Sequence, residues 1–263
     1  MVTPLVASDL DGTLLRSDGA VSPRTRAAIH ALIDSGATFV YATGRPTRWV
    51  LPVAEEVGHH GLAVASNGAL VIDLATGEIL HETLFFPEMS SQVVHLIMDA
   101  VPTVTFAVDG ADYFGHDLKY KPRWVLPPGV VVAPIDVLTE RPFIKLLVRE
   151  EDMNGEELLS ICAQTVGHLA SPTCSSIDGL IEITAFGTGK AEALQWIAER
   201  AGLTAADAVA FGDMPNDLGM LTWAGCGVAM ANAHAAVLAV ADEITTSNDD
   251  DGVARVIERI LLG

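Results

Sequence analysis

Short apolar runs alternate with helix-like segments over the first part of the chain. Continuous apolar runs are typical of strands buried on both faces, and three of them cover residues 4–8, 38–43 and 62–68. The first intervening helix is expected to begin after Ser22, with Pro23 in its first turn, and to end at Gly36. The second covers 46–58 and is expected to break or kink at Pro52. Strands that alternate with helices predict a parallel, doubly wound α/β sheet.

The pattern changes after residue 68. Two hairpins are predicted, one that turns at Thr76–Gly77 and one that turns at Asp109–Gly110. The remaining elements are helices at 87–101 and about 152–166, and strands at 143–150 and 180–186. Antiparallel hairpins combined with two helices indicate a separate α+β module, which we expect over residues 83–184.

The alternation returns after this module. A helix begins near Lys190, and an apolar run over 208–213 ends in an acidic residue, as the first strand does. The predicted elements that follow are helices at 214–225, 232–241 and 252–262, and strands at 226–230 and 243–247. The sequence therefore predicts a parallel-sheet core made of residues 1–82 and 185–263, with residues 83–184 inserted as a second domain.

Composition and charge narrow the possible functions. Half of the 263 residues are hydrophobic, which is enough for a large core, and the formal net charge is −19. Such acidity argues against nucleic acid and against an anionic membrane surface as partners. The three cysteines are widely spaced and form no CxxC pair, and there is no signal-peptide pattern and no apolar stretch long enough for a membrane span. We expect a cytoplasmic protein.

Polar side chains follow several of the predicted strands. In open α/β sheets, ligands bind beyond the carboxyl ends of the strands, so residues at these ends are candidates for chemistry. The candidates are Asp9 and Asp11 after the first strand, Thr43, Gly44 and Arg45 after the second, Asp213, Asn216 and Asp217 after the strand at 208–213, and Lys190 at the start of a helix. Taken singly, each of these segments is ordinary turn or cap chemistry.

The spacing of Asp9 and Asp11 raises a problem of charge. In an extended segment, residues two apart point the same way, so the two carboxylates repel unless a cation lies nearby or one stays protonated. Asp213 offers a third carboxylate, and an oxygen-rich site of this kind suits Mg²⁺. With Lys190 added, the site has enough positive charge to hold a phosphate, which the backbone N–H groups around Leu10 and Gly44 are placed to bind.

Four motifs in order carry a resemblance to a known family. They are "DLDGT" (9–13), "TGR" (43–45), Lys190 and "GDMPND" (212–217), and they resemble the motifs of the haloacid dehalogenase superfamily. The flanking segments "ATGRP", "SNGA", "GTGKAEAL" and "SNDDDGVA" resemble its Cof-type phosphatases, and the module at 83–184 resembles their C2B cap by position and size. Met214–Pro215 departs from the small polar residues that relatives often carry there.

The resemblance implies a role for each residue. Asp9 is the expected nucleophile, Asp11 the general acid and base, and Thr43 a phosphoryl ligand. Lys190 is expected to balance the charge of Asp9 and of the phosphoryl group. Leu10, Gly44, Arg45 and Asn216 are expected to bind phosphate. Mg²⁺ is expected on Asp9, Asp213 and the backbone carbonyl of Asp11, with Asp217 as a further ligand or as a residue that acts through the others.

The expected function is Mg²⁺-dependent hydrolysis of a small phosphorylated metabolite through an aspartyl-phosphate. A sugar phosphate or a phosphorylated cofactor is the substrate class that the resemblance implies, and the sequence does not identify the substrate. A phosphomutase of the same superfamily and a non-catalytic protein that binds a phosphorylated ligand are the alternatives. No nucleic-acid or membrane partner is expected, and the chain is expected to be a monomer or a weak homodimer.

Overall fold

The computed structural model describes residues 4–110, 113–174 and 179–262. The chain divides into two compact units, one made of Met1–Glu82 with Gly189–Gly263 and the other of Thr83–Thr188. We call the first the core unit and the second the inserted unit. Within the described ranges, no helix is long and apolar enough to cross a membrane.

The first part of the core unit alternates strands and helices before it ends in a hairpin. Its elements are β1 (Leu5–Ser8), α1 (Pro23–Asp34), β2 (Thr38–Ala42), α2 (Thr47–Val57), β3 (Leu62–Ala65), β4 (Leu70–Asp73) and β5 (Ile79–Glu82). The Ser22 hydroxyl accepts a hydrogen bond from the N–H of Thr25, which caps α1 as the sequence predicts. Helix α2 runs through Pro52 as one element, so it does not break there, and a kink at this residue stays a prediction.

The inserted unit is built on a second sheet with helices. Its elements are α3 (Pro87–Ala100), β6 (Thr105–Asp109), β7 (Phe114–His116), β8 (Val131–Val132), α4 (Ile135–Leu138), β9 (Lys145–Arg149), α5 (Gly155–Val166), β10 (Ala170–Cys174) and β11 (Ile181–Ala185). Within the described residues the strand order is β10-β11-β9-β6-β7-β8. The predicted hairpin is present as the antiparallel pair β6–β7, and residues 111 and 112 of its turn lie outside the described residues.

One face of the inserted sheet buries charge. Lys145 on β9 donates a hydrogen bond to Glu182 on the neighbouring β11, and both side chains are almost fully buried. The opposite face packs apolar residues of β6, β9 and β11 against α3 and α5. The alternation of faces along each strand explains how one sheet holds both an apolar core and a buried ion pair.

The last part of the core unit returns to the α/β pattern. Its elements are α6 (Lys190–Arg200), β12 (Ala208–Gly212), α7 (Leu218–Trp223), β13 (Cys226–Ala229), α8 (Ala235–Leu238), β14 (Glu243–Ile244) and α9 (Gly252–Leu262). The predicted helices at 214–225 and 232–241 are thus shorter in the structure. A 3-10 turn over Pro215–Asp217 precedes α7, since Pro215 has no N–H to donate and the Asp217 side chain accepts bonds from the backbone before it.

The sheet of the core unit brings the motif-bearing strands together. Among the described residues it has eight strands in the order β14-β13-β12-β1-β2-β3-β4-β5, and the pairs from β14 to β3 are parallel. Strands β4 and β5 extend it as an antiparallel hairpin. The predicted α/β parallel-sheet core with an inserted α+β unit is confirmed. That the inserted unit acts as a cap stays a prediction.

Candidate active site

The site lies at the carboxyl ends of three adjacent parallel strands. Strand β1 pairs with β12 on one side and with β2 on the other, so Asp9, Asp213 and Thr43 follow neighbouring strands. Lys190 is the first residue of α6 and is 2% exposed. The sheet order therefore brings to one edge residues that are up to 204 positions apart in the chain, Asp9 and Asp213.

A buried cluster of three carboxylates and one ammonium group is the centre of the site. Lys190 Nζ donates to Asp9 Oδ1 and to Asp217 Oδ1, each at 2.6 Å. Asp9 and Asp217 are 5% and 0% exposed, and Asp213 is also buried. One oxygen from each of these three carboxylates lies within 4.8 Å of the others. Among the described residues, the cluster therefore contains three carboxyl groups and only one positively charged side chain, that of Lys190.

Burial and the excess of negative charge raise the pKa values of two carboxyl groups. Burial raises the pKa of Asp9 well above its ordinary value; Asp217 and Asp213 raise it further, and Lys190 opposes the shift. Burial and the charge of Asp217 raise the pKa of Asp213 to about 7, against the effect of a hydrogen bond from Thr13. Burial lowers the pKa of Lys190, but the charges of Asp217 and Asp9 outweigh burial and raise it overall. The cluster favours an added cation.

Both carboxylate oxygens of Asp217 accept hydrogen bonds from the protein. Oδ1 accepts from Lys190, and Oδ2 accepts from the backbone N–H groups of Asp213 and Met214 at 2.9 and 3.0 Å. Gly212 has no side chain, and a Cβ there would collide with the Asp217 side chain. These bonds fix the loop that carries Asp213, so Asp217 orients Lys190 and Asp213 at the same time.

Asp11 is placed differently from Asp9. Its side chain is 55% exposed and lies outside the buried carboxylate cluster. Arg45 holds it with two hydrogen bonds, from Nε to Oδ2 at 2.7 Å and from Nη2 to Oδ1 at 2.5 Å. Arg45 also donates its backbone N–H to the hydroxyl of buried Thr43 at 3.0 Å. The TGR segment therefore positions both Thr43 and the carboxylate of Asp11.

The remaining predicted phosphate ligands lie around this centre. Leu10 is fully buried, and its carbonyl accepts from Thr13 and Leu15, which gives the turn after β1 its shape. Asn216 Nδ2 donates to Asn67 Oδ1 at 3.0 Å, and Asn67 has a left-handed backbone with φ +55°. Gly44, after β2, is partly buried. Their roles as phosphate ligands stay predictions.

Two residues of the first motif have structural roles that sequence reasoning missed. The Thr13 hydroxyl donates to Asp213 Oδ1 at 3.0 Å, which links the β1 loop to the β12 loop. Gly12 has φ +77°, and a Cβ there would lie 2.9 Å from the carboxyl carbon of Asp213. The signal was present in "DLDGT", since a glycine between two polar residues after a strand indicates a close approach.

A second set of contacts ties the β1 loop to the end of the chain. Asn232 Nδ2 donates to the carbonyl of Gly12 at 2.8 Å, and its Oδ1 accepts from the N–H of Asn248. Asn248 Nδ2 in turn donates to the carbonyl of Leu15 at 2.9 Å. The "SNDDDGVA" segment, which the sequence linked to the family only by resemblance, thus braces the loop that carries Asp9 and Asp11.

Fold and site together define the class of protein. A parallel α/β sheet that presents carboxylates, a threonine and a buried lysine at its carboxyl edge is the core of a hydrolase with an acidic centre. A family of haloacid dehalogenase-like hydrolases matches residues 6–257. The chain belongs to this family, and the resemblance stated from its motifs is confirmed.

Several of the curated relatives are phosphatases by name. The putative phosphatase YxeH of Bacillus subtilis is 30% identical over 98% of this chain and 98% of its own length. The 5-amino-6-(5-phospho-D-ribitylamino)uracil phosphatase YitU of the same organism is 31% identical over 97% of this chain and 96% of its own. The crystal structure of SMU.1108c from Streptococcus mutans has a TM-score of 0.88 and 26% identity, with 99% of this chain and 100% of that chain covered. The prediction of a phosphatase-type hydrolase is confirmed by these relationships.

Proposed function

We propose that this chain is a Mg²⁺-dependent phosphatase for small phosphomonoesters and that Asp9 carries the phosphoryl group during the reaction. The observation that carries the proposal is the buried cluster in which Lys190 bonds both Asp9 and Asp217 beside Asp213. The name of YitU gives a small phosphomonoester as its substrate, which supports the same substrate class here.

The residues present fit a small divalent cation. The donors are carboxylate oxygens, which Mg²⁺ prefers. Burial, followed by neighbouring carboxylates, raises the pKa values of Asp9 and Asp213, so a bound cation would stabilise their charged forms. Because both oxygens of Asp217 are already used, Asp9 and Asp213 would hold the ion, together with the backbone carbonyl of Asp11, and Asp217 would act through its neighbours. When bound, Mg²⁺ supplies positive charge that attracts the phosphate and stabilises the charge on its oxygens.

In the first half of the reaction, a carboxylate oxygen of Asp9 attacks the phosphorus atom. The bond from phosphorus to the leaving oxygen breaks, and Asp11 gives this oxygen its proton so that an alcohol departs. Lys190 keeps Asp9 oriented and balances its charge. Asp11 enters this step in its protonated form, and the two bonds from Arg45 belong to the carboxylate that remains once the proton has been given. Asp9 is left as an aspartyl-phosphate.

In the second half, a water molecule attacks the same phosphorus atom. Asp11 takes a proton from that water, the bond between phosphorus and the Asp9 oxygen breaks, and inorganic phosphate leaves with Asp9 restored. The hydroxyl of Thr43 and the backbone N–H groups of Leu10 and Gly44 are proposed donors to the phosphoryl oxygens, which carry negative charge throughout. Asn216 is proposed to support this binding from the β12 loop.

A phosphate-release assay tests the proposal. The purified chain is expected to release inorganic phosphate from para-nitrophenyl phosphate and from members of a phosphomonoester panel with Mg²⁺, to stop when EDTA is added, and to recover with excess Mg²⁺. Release from no compound contradicts a phosphatase and favours a binding protein. Conversion of one phosphate isomer to another without net release would identify a phosphomutase.

A further inference from the structure

A strained turn follows strand β3 at the carboxyl edge of the core sheet. Its three residues, Ser66, Asn67 and Gly68, all have left-handed backbone conformations, with φ of +50°, +55° and +97°. Glycine adopts this conformation freely, whereas serine and asparagine do so at a cost that the surrounding structure must offset. Strained residues of this kind cluster at functional sites, so the contacts of the turn indicate what it holds in place.

The backbone of the turn is bonded to the TGR segment. The N–H of Ser66 donates to the carbonyl of Arg45 at 2.9 Å, and the N–H of Asn67 donates to the carbonyl of Thr43 at 3.0 Å. Both bonds join the end of β3 to the end of β2, its neighbour in the sheet. The turn is therefore fixed beside the threonine that is proposed to bind the phosphoryl group.

The same turn packs against the segment that begins α6. A Cβ on Gly68 would collide with the carbonyl of Gly189 and would lie 3.0 Å from the backbone nitrogen of Lys190. Lys190 is the buried lysine that bonds Asp9. Because the backbone of the turn is held on both sides, the side chain of Asn67 leaves it in a defined direction.

The side chain of Asn67 reaches a third motif segment. Asn67 is 3% exposed, and its Oδ1 accepts a hydrogen bond from Asn216 Nδ2 at 3.0 Å. Strands β3 and β12 are separated in the sheet by β1 and β2, so this bond joins loops whose strands are not neighbours. The bond therefore fixes Asn216 relative to the strand ends that carry Asp9 and Thr43.

Asn216 keeps further hydrogen-bonding groups for a ligand. A carboxamide has two N–H donors, and within the described part of the chain Asn216 uses one of them, for Asn67. The buried Oδ1 of Asn216 has no partner among the described residues. Buried polar groups are nearly always paired, so an amide that is half-paired next to Asp217, the partner of Lys190, indicates that a ligand completes it. The second N–H is suited to a phosphoryl oxygen.

We propose that Asn67 is a positioning residue for phosphate binding, and that its carboxamide fixes the Asn216 amide so that the second N–H of this amide donates to the phosphoryl group. The inference rests on the proposed function for the role of Asn216. It also explains why an asparagine occupies the strained position. Asparagine tolerates the left-handed conformation better than most L-residues and carries the acceptor, which glycine lacks.

Replacement of Asn67 by glycine tests the amide without adding strain. Asn67→Gly removes the side chain and relieves the left-handed backbone at the same time, so the strain itself cannot cause a loss. The measurements are the dissociation constant of inorganic phosphate in the presence of Mg²⁺, by isothermal titration calorimetry, and kcat/KM for para-nitrophenyl phosphate. Asn216→Ala is expected to weaken phosphate binding about tenfold or more, and Asn67→Gly about 3- to 10-fold, with similar losses of kcat/KM.

Two further variants separate positioning from a general structural effect. Ser66→Gly also relieves a left-handed residue and removes a buried side chain, but the Ser66 hydroxyl has no partner among the described residues, so phosphate binding should be unchanged. The double variant Asn67→Gly, Asn216→Ala should bind phosphate no more weakly than Asn216→Ala alone, because Asn67 acts through Asn216.

Three results would overturn the inference. They are equal phosphate binding in wild type and Asn67→Gly, an equal loss in Ser66→Gly, and additive losses in the double variant. Failure of the wild type to release phosphate from any phosphomonoester contradicts the phosphatase function instead, and the comparison of phosphate binding among the variants still decides the role of Asn67.

Discussion

Replacement of Gly12 by alanine perturbs one defined side chain of the site, that of Asp213. Gly12 has φ +77°, a backbone conformation that an L-residue adopts at a cost of about 1–2 kcal/mol. A new Cβ would also collide with Asp213 Oδ2 and lie 2.9 Å from the carboxyl carbon, where ordinary contact begins at 3.4 Å, so that carboxyl group must move by more than 0.5 Å. Asp213 is a proposed metal ligand held by Thr13 on the other side, so the shift disturbs the centre directly.

The effect on activity follows from this displacement. Misplacement of a reacting group by 1 Å lowers rates about 100-fold, so a shift of at least 0.5 Å is expected to lower kcat by roughly 10- to 100-fold. Gly77→Ala is the matched control, because Gly77 has φ +75° in the turn between β4 and β5 and no heavy atom lies near the new Cβ. The two variants share the backbone strain and differ in the contact with Asp213.

The assay measures kcat with para-nitrophenyl phosphate at several Mg²⁺ concentrations and Tm by thermal unfolding. Both variants should lose a few degrees of Tm because of the strained backbone, and Gly12→Ala should lose more than Gly77→Ala because its Cβ also clashes with buried Asp213. Only Gly12→Ala should lose most of its turnover and need more Mg²⁺. If Gly12→Ala and Gly77→Ala have the same kcat, the reasoning that Asp213 must stay in place is refuted.

Three further changes test separate parts of the account. Asp9→Asn keeps the shape of the side chain but removes the attacking charge, so phosphate release should fall by several orders of magnitude while far-UV circular dichroism stays unchanged. Asp213→Ala should raise the Mg²⁺ concentration needed for activity in a metal titration, and an unchanged titration curve contradicts its role. Glu182→Ala breaks the buried ion pair with Lys145, so denaturant unfolding should show a loss of about 3–5 kcal/mol, and an unchanged unfolding curve contradicts a structural role for the pair.

The core strands were predictable because of where they lie. Strands buried on both faces must be apolar throughout, so β1, β2, β3 and β12 stand out as short apolar runs. Strand β10 was missed because it is an edge strand that contains Pro172, and an edge strand needs neither a continuous apolar pattern nor every N–H. Helix α8 is shorter than expected, since apolar residues alone do not say how far a helix continues.

The candidate site was predictable in its residues but not in its contacts. Parallel strands end at one edge, so the meeting of Asp9 and Asp213 follows from topology. The pair of Asp11 with Arg45 depends on side-chain conformations that no spacing in the sequence encodes. The brace from Asn248 to the β1 loop joins segments 233 residues apart, and only the folded sheet brings them together.

The central claim is that a phosphoryl group passes through Asp9. The direct measurement is a rapid quench in acid during turnover, followed by borohydride reduction, which converts an aspartyl-phosphate to homoserine, and mass spectrometry of the tryptic peptide that ends at Arg16. The account predicts homoserine at position 9 in the presence of substrate and Mg²⁺, and none in Asp9→Asn. Steady turnover with an unmodified Asp9, or with the modification at Asp11 instead, would contradict the account.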